Sequence, residues 1–382
     1  MIRKVYKFGG ASVKDANAVR NLKDILEKEN RNEIMLVISA MGKTTNAIEK
    51  TLAEFRKNNG HLEINALSEI IEYHENIMTE LFEGNTSHPV FETMTNLFLD
   101  LYLCLKETGY DYDYQYDNTV SFGEMLSTTL ISAYLNECGL ANELLDAREY
   151  IITDHNFRAA NPEWDDCRLR IQKLNDNHDG TMYITQGFIA SSVSPKTTTT
   201  LGREGSDFSA AIFANCLEAE ELTIWKDVDG LRNADPKRFP DTSFLDTSLR
   251  PSIIDGTKEY IEYVPSFIVK EKQTLMSITP KDYSFMNEHN RALIFNIMDE
   301  LNLHANMTQV SALVLSICLD ENEKKRIQLT EALSQAFKIK YNDGLQLFTI
   351  RHYQEGLEKE FVKDKKIYVE QRSRSTYQIV VA

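Results

Sequence analysis

Residues 34–38, Ile-Met-Leu-Val-Ile, are an uninterrupted apolar run of strand length that ends in the small residues Ser39 and Ala40. A strand with one wetted face alternates. A continuous run fits a parallel strand buried on both faces, which requires covering helices. The flanking segments supply them. "KVYKFGG", from Lys4, reads as a second strand running into Gly9 and Gly10, and Val19, Leu22, Ile25 and Leu26 then recur on one helical face. Beyond the run, Ile48, Leu52 and Phe55 repeat that spacing. Strand, helix, strand, helix is the order of an α/β fold.

Residues 61–108 carry two long helical stretches, "INALSEIIEYHENIMTELF" and "FETMTNLFLDLYLCLKE", and read as a helical insertion or lid. "TVSFGEMLSTTLISAYLNECG" is a turn into an amphipathic helix closed by Gly139. "MYITQGFIA" predicts one strand, followed by the polar stretch "SSVSPKTTTTLGREGSD" and a helix, and "LTIWKDVDGL" predicts a further strand and turn. Composition changes after about Pro240. "TLMSITP", "RALIFNIMDELNL", "NMTQVSALVLSICLD", "EKKRIQLTEALSQAF" and "KIKY" spell β-α-β-β-α-β, the ferredoxin-like order. "LQLFTIRHY", "KKIYVEQ" and "STYQIVVA" add strands to it. The expected domains are residues 1–264 and 265–382.

A length of 382 residues allows two or three domains, and a net charge of −16 argues against a general nucleic-acid binder. A locally positive pocket remains compatible with that charge. Cys104, Cys138, Cys167, Cys216 and Cys318 are odd in number, dispersed and free of CxxC pairs, the pattern of reduced cytosolic thiols. The histidines show no metal spacing, and Met276, Met286, Met298 and Met307 read as packing. With no signal-peptide core at the N-terminus and no apolar run of membrane-spanning length, a cytoplasmic protein without membrane contact is expected.

Three segments carry the pattern of a binding site. Lys7 before Gly9-Gly10 joins a full positive charge to a strand-to-helix turn, where backbone N–H groups can receive an anion. Such a glycine pair equally marks an ordinary tight turn, and it fits neither the P-loop nor the dinucleotide fingerprint. "TTTTLGREGSD", residues 197–207, sets glycines on both sides of Arg203-Glu204, and Ser206 and Asp207 read as opening a helix. Arg203 suits bidentate contact with a carboxylate. "IWKDVDGLRNADPKRF", residues 224–239, is a strand entering an acidic loop. Asp227, Asp229 and Asp235 lack the spacing of a calcium loop, but the carboxyl end of a strand is where α/β folds bind ligands.

Together, "KFGGASV", "VISAMGKTTN", "SFGEMLS", "GFIA…TTTTLGREGSDFSAA" and "IWKDVDGLRNADPKRF" stand in the order seen in aspartate kinases. The chain thus resembles the amino-acid kinase family, densely over residues 3–245, and its C-terminal part resembles that family's regulatory ACT domain. The resemblance implies a three-layer α/β/α amino-acid kinase fold followed by a ferredoxin-like (ACT) α+β domain. It implies transfer of a phosphoryl group from ATP to the side-chain carboxylate of L-aspartate, with Mg2+ held mainly by phosphates and water. Lys7 would sit at the transferring phosphate, with Gly9 and Gly10 letting backbone N–H groups approach it. Ser39 and Thr45 would line the aspartate pocket, Glu124 would meet the substrate ammonium, and Arg203 its α-carboxylate. Ser206 and Asp207 would organise the helix start and the reacting groups.

Lys226, Asp227, Arg232 and Lys237 match nucleotide-side positions, although Lys226 stands where threonine is common and Arg232 where tyrosine is. After about residue 247 the chain is shortened: it passes through "FLDTSLRPSIIDGTKEYIEYVPSFIV" almost directly into the ACT-like half, without a "GAKVLHP"-like segment. The resemblance further implies a homo-oligomer, a dimer or higher. An amino-acid effector, lysine or threonine, would bind near Asn302, Asn306, Thr308, Gln309 and Ser311. Rival readings are a glutamate or acetylglutamate kinase of the same fold, and a non-catalytic amino-acid sensor. "SFGEMLS", "LGREGSD" and the ACT-like tail favour aspartate, and retention of Lys7, Glu124, Arg203 and Asp207 argues against the sensor.

Overall fold

The structure is a computed structural model. It describes residues 1–58, 61, 65–226, 232–239, 242, 253–254, 264–282, 284–363 and 365–382. Contacts divide the chain into one unit of Met1–Gly230 with Leu249–Lys258 and another of Leu231–Ser248 with Glu259–Ala382.

In the first unit the strands are β1 (Lys4–Phe8), β2 (Ile34–Ile38), β3 (Asn142–Leu145), β4 (Ile152–Thr153), β5 (Met182–Gln186), β6 (Ile189–Ser192), β7 (Thr198–Thr200), β8 (Glu221–Trp225) and β9 (Ile253–Ile254). Its helices are α1 (Ala16–Leu26), α2 (Thr44–Lys57), α3 (Ser68–Leu81), α4 (Pro89–Leu105), α5 (Tyr112–Val120), α6 (Phe122–Glu137), α7 (Trp164–Asp176) and α8 (Gly205–Leu217). A six-stranded sheet runs β3-β5-β2-β1-β8-β9, parallel except for the β8–β9 pair.

Successive strand side chains point to opposite faces, and here both faces are dry. Tyr6, Phe8, Ile34, Leu36 and Ile38 enter one core with residues of α1 to α6, while Val5, Met35 and Val37 enter another with Ile171 of α7 and Ile212 and Phe213 of α8. The sheet therefore has a helical layer on each side. Helices α3 and α4, from the expected insertion, contribute Ile70, Ile77, Met94 and Phe98 to the first core.

Two local expectations change. "MYITQGFIA" is two strands, because the chain breaks at Phe188, whose φ is 69°. Strand β5 stays in the main sheet and β6 joins a three-stranded sheet, β4-β6-β7. The threonines of the expected polar stretch form β7, buried throughout. Threonine is β-branched and suits a strand, and its hydroxyls find partners. Thr199 Oγ1 meets Thr153 Oγ1 at 2.7 Å, and Thr200 Oγ1 donates to Asp117 at 2.7 Å.

In the second unit β10 (Ser266–Pro280), α9 (Glu288–Glu300), β11 (Ala305–Val310), β12 (Leu315–Asp320), α10 (Glu323–Leu333) and β13 (Phe337–Arg351) follow the ferredoxin-like order. "KIKY" and "LQLFTIRHY" are parts of the single strand β13. With β14 (Ile367–Arg372) and β15 (Thr376–Val381) the sheet runs β11-β12-β10-β13-β15-β14. Helices α9 and α10 pack Ile294, Met298, Leu329 and Leu333 on one face, with Met276, Ile278 and Ile317.

On the other face Met307 of β11 and Val369 of β14, from the two end strands, share one apolar cluster. The Gln309 side chain also donates to the Glu370 carbonyl at 3.0 Å, so the sheet curls until its ends meet. Three of the polar residues expected to face an effector, Asn306, Gln309 and Ser311, have side-chain partners inside this unit. Asn306 donates to Gln273 and Asp320, both at 2.8 Å, and accepts from Lys270 at 2.6 Å, while the Ser311 hydroxyl bonds Val314. Among the described residues no helix is long and apolar enough to cross a membrane.

Candidate active site

Strand alternation turns Lys7 to the same face as Val5, the face covered by α8. An ammonium there, 6% exposed, requires an anion. The first turn of α8 supplies one: Lys7 Nζ lies 2.5 Å from Asp207 Oδ1. Lys226, at the end of β8, meets Asp207 Oδ2 at 3.0 Å and Glu204 at 3.7 Å. Burial pushes the Asp207 carboxyl upward, but the two ammonium groups outweigh it and hold the group below its ordinary range.

Glu124 comes from the opposite core. It lies in the first turn of α6, and the next turn of that helix is fastened to the end of β2 by a 2.9 Å bond from Ser127 Oγ to the Ser39 carbonyl. Glu124 is 3% exposed. Its Oε1 accepts the Ala40 N–H at 3.2 Å, and its Oε2 is buried with no partner. Burial pushes this carboxyl up to about 8 against the opposing pull of Ala40 and the Lys7 charge. A half-satisfied buried carboxyl is a costly arrangement, held largely protonated at neutral pH, and an entering ammonium favours its charged form.

Lys7, Ser39, Thr45, Glu124, Arg203, Ser206 and Asp207 line one cleft of about 460 Å³. Asn46, Tyr116, Arg158, Phe188, Gly202, Glu204 and Gly205 line it too. It opens at the carboxyl ends of β1 and β2, as the switch-point rule for α/β sheets requires. Arg203 is exposed and has no ion-pair partner among the described residues. Asn46 adjoins Thr45 in "KTTN" and Phe188 follows Gly187, so both lay beside recognised motifs. Tyr116 and Arg158 carried no sequence signal.

Some expectations need correction. Glu204, with φ 57°, is the residue that precedes α8, so Ser206 and Asp207 sit inside its first turn rather than capping it. Gly9 does not present a free N–H: it donates to the Trp225 carbonyl at 3.2 Å. Gly10 answers a packing demand, since a Cβ there would come within 2.6 Å of the Ala40 carbonyl oxygen. Neither glycine is among the residues lining the cleft.

On the expected nucleotide side, Lys226 joins the charge cluster and Asp227 lies outside the described residues, as does most of the shortened stretch after residue 247. Arg232 and Lys237 belong to the second unit. There Arg232 donates to the Thr242 hydroxyl at 3.0 Å, and the Lys237 N–H donates to Asp235 at 2.9 Å. No group of three or more acidic, histidine or cysteine side chains among the described residues is arranged to hold a metal.

The cleft at the strand ends thus carries an ammonium-carboxylate cluster at one side and a buried carboxyl with one unfilled oxygen at another. The chain belongs to the amino acid kinase family, whose family model matches residues 3–335. It is 32% identical over 249 residues to the aspartokinase of Chlamydia muridarum, covering 63% of this chain and 52% of that one. It is 28% identical over 247 residues to the bifunctional aspartokinase/homoserine dehydrogenase 2, chloroplastic, of Arabidopsis thaliana, covering 64% of this chain and 27% of the relative. The chain therefore spans about a quarter to a half of the length of these relatives. Aspartokinase III of E. coli, solved in complex with aspartate and ADP, superposes with a TM-score of 0.82 at 21% identity, over 100% of this chain and 96% of that one. At that identity the likeness establishes the fold.

Proposed function

We propose that this chain transfers the terminal phosphoryl group of ATP to the side-chain carboxylate of L-aspartate, giving 4-phospho-L-aspartate and ADP. The observation that carries the reading is the unpartnered Oε2 of Glu124 in a cleft that also holds Arg203, Lys7 and Asp207, with Lys226 paired to Asp207. An α-amino acid presents an ammonium beside a carboxylate, and these two groups have complementary receptors in Glu124 and Arg203. Its side-chain carboxylate is then left for Lys7, with Ser39, Thr45 and Ser206 as polar lining. That the E. coli relative was solved with aspartate and ADP supports this choice of ligands.

The attacking carboxylate oxygen is ionised at neutral pH, so no general base is needed. It forms a bond to the γ-phosphorus as the bond to the ADP oxygen breaks, and both negative partners must be brought together. Alignment and charge neutralisation are the protein's contribution. Lys7 and Lys226 share Asp207 and would re-partner toward phosphate oxygens. Magnesium would accompany the nucleotide and offset phosphate charge. Asp207 is already bound by two lysines, so the fit of this site is to the phosphates. An amino-acid effector at the second unit, and assembly into a dimer or higher oligomer, complete the proposal.

ADP release measured with L-aspartate, L-glutamate and N-acetylglutamate, with the acyl phosphate trapped by hydroxylamine, is the test. Turnover with aspartate alone is expected. Turnover with another acid, or with none, overturns the assignment. Calorimetry with lysine and threonine tests the effector.

A further inference from the structure

Arg158 is the cation of the cleft that no motif marks, and three features converge on it. Its backbone is left-handed, with φ 69°. A side chain other than glycine holds that conformation only where the surroundings impose it. The imposing group is Asp117 of α5, fully buried, whose two oxygens receive the Arg158 N–H at 3.1 and 3.0 Å. The same carboxylate takes the Thr200 N–H at 2.9 Å and its hydroxyl at 2.7 Å. One buried anion thus ties the turn bearing Arg158 to the end of β7, the strand that leads into Arg203.

The two turns also touch. Gly202 has φ 76°, and a Cβ there would lie 3.0 Å from the Arg158 carbonyl oxygen. The third feature is the guanidinium itself, which stacks 4.2 Å above the centroid of Tyr116, another lining residue, and 5.6 Å from that of Tyr112. Asp113 at 3.3 Å and Glu49 at 3.8 Å flank it. These ion pairs are solvent-screened and weak, so they orient the group without consuming it. A guanidinium stacked by its face keeps edge N–H donors for a ligand.

We infer that Arg158 is a specificity residue that joins Arg203 in receiving the α-carboxylate of the amino-acid substrate. The inference rests on reading the cleft as an aspartate site. Two planar cations on touching turns select a ligand that carries a carboxylate beside its ammonium, and they reject one in which that carboxylate is an amide.

The test uses the full chain, Arg158→Gln and Arg158→Lys, L-aspartate, and the α-amide of aspartate, which keeps the phosphoryl-accepting carboxylate. Arg158→Gln is expected to raise KM for aspartate ~10-fold or more, as loss of a charge-assisted contact implies. KM for ATP and the unfolding midpoint should hold, and the preference for aspartate over its α-amide should shrink by a similar factor. Arg158→Lys should recover part of the affinity, and it provides the same comparison if the glutamine variant fails to fold. Equal losses on both substrates, or an effect confined to ATP, would show a structural brace and overturn the inference. An unchanged KM in either variant, with an active wild type, overturns it alone. A wild type that neither binds aspartate in calorimetry nor turns it over overturns the aspartate reading and this inference together.

Discussion

Two carboxylates lie buried on the consecutive helices α5 and α6, and their surroundings differ. Around Asp117 every demand is met: two backbone N–H groups and a hydroxyl converge on its oxygens. Around Glu124 one oxygen has the Ala40 N–H and the other has nothing. Burial is the leading influence on both, pushing Asp117 up to about 7 and Glu124 up to about 8. The difference separates a group that holds the fold together from one held ready by it. A saturated buried carboxyl stabilises its neighbours, whereas an unsaturated one is a cost carried until a ligand arrives.

The comparison is most easily broken at Asp117. Asp117→Ala strands the Arg158 N–H and both Thr200 donors, and should lower unfolding free energy by about 3–5 kcal/mol. Urea denaturation checks this, and a loss under ~1 kcal/mol would mean that the surroundings relax without it. Glu124→Gln should do the reverse in the free protein, leaving stability equal or raised, while weakening aspartate binding ~30–100-fold, or about 2–3 kcal/mol. Calorimetry with aspartate reads the second effect, and ATP affinity should be untouched.

A smaller effect appears in the pH dependence. Glu124 has its folded pKa raised from 4.5 to about 8, so the folded state binds more protons than the unfolded one across that interval. Stability from this group is therefore fully present below about pH 4.5 and is lost as pH rises through about 8. Asp117 contributes a similar fall over a lower range, so subtracting the profile of Glu124→Gln from that of the wild type isolates the Glu124 share. A difference profile flat between pH 5 and 8 would refute the burial argument. The smallest effect belongs to Ser127→Ala, which removes the bond holding the second turn of α6 to Ser39. Aspartate KM should rise about two- to five-fold, in keeping with a net hydrogen bond of ~0.5–1 kcal/mol. Steady-state kinetics decide it, and no change would place the stiffness of that turn elsewhere.

What the sequence reveals follows from how far each residue's partners lie along the chain. Ile34 to Ile38 announce a doubly covered strand, because burial on both faces is written into consecutive letters. The threonine run does not announce β7, because its hydroxyls are satisfied by Thr153 and Asp117, which are remote in sequence. Lys7, Glu124, Arg203 and Asp207 stand in motifs, and the structure gathers them in one cleft. Arg158 and Tyr116 share that cleft without any motif, since a left-handed arginine and a helix-borne ring acquire meaning only after the chain has closed around Asp117. The glycine pair misleads in another way: Gly9 and Gly10 look like anion donors, yet one N–H is occupied and the other residue makes room for a carbonyl.

The curl of the second unit's sheet has a consequence at high protein concentration. An exposed end strand is a template on which another chain can add, and repeated addition is the route to fibres. Here β11 and β14 share apolar side chains and the Gln309–Glu370 bond, so each end shelters the other. For a newly made chain, the meeting of these ends narrows the strand edge that this sheet offers to another chain.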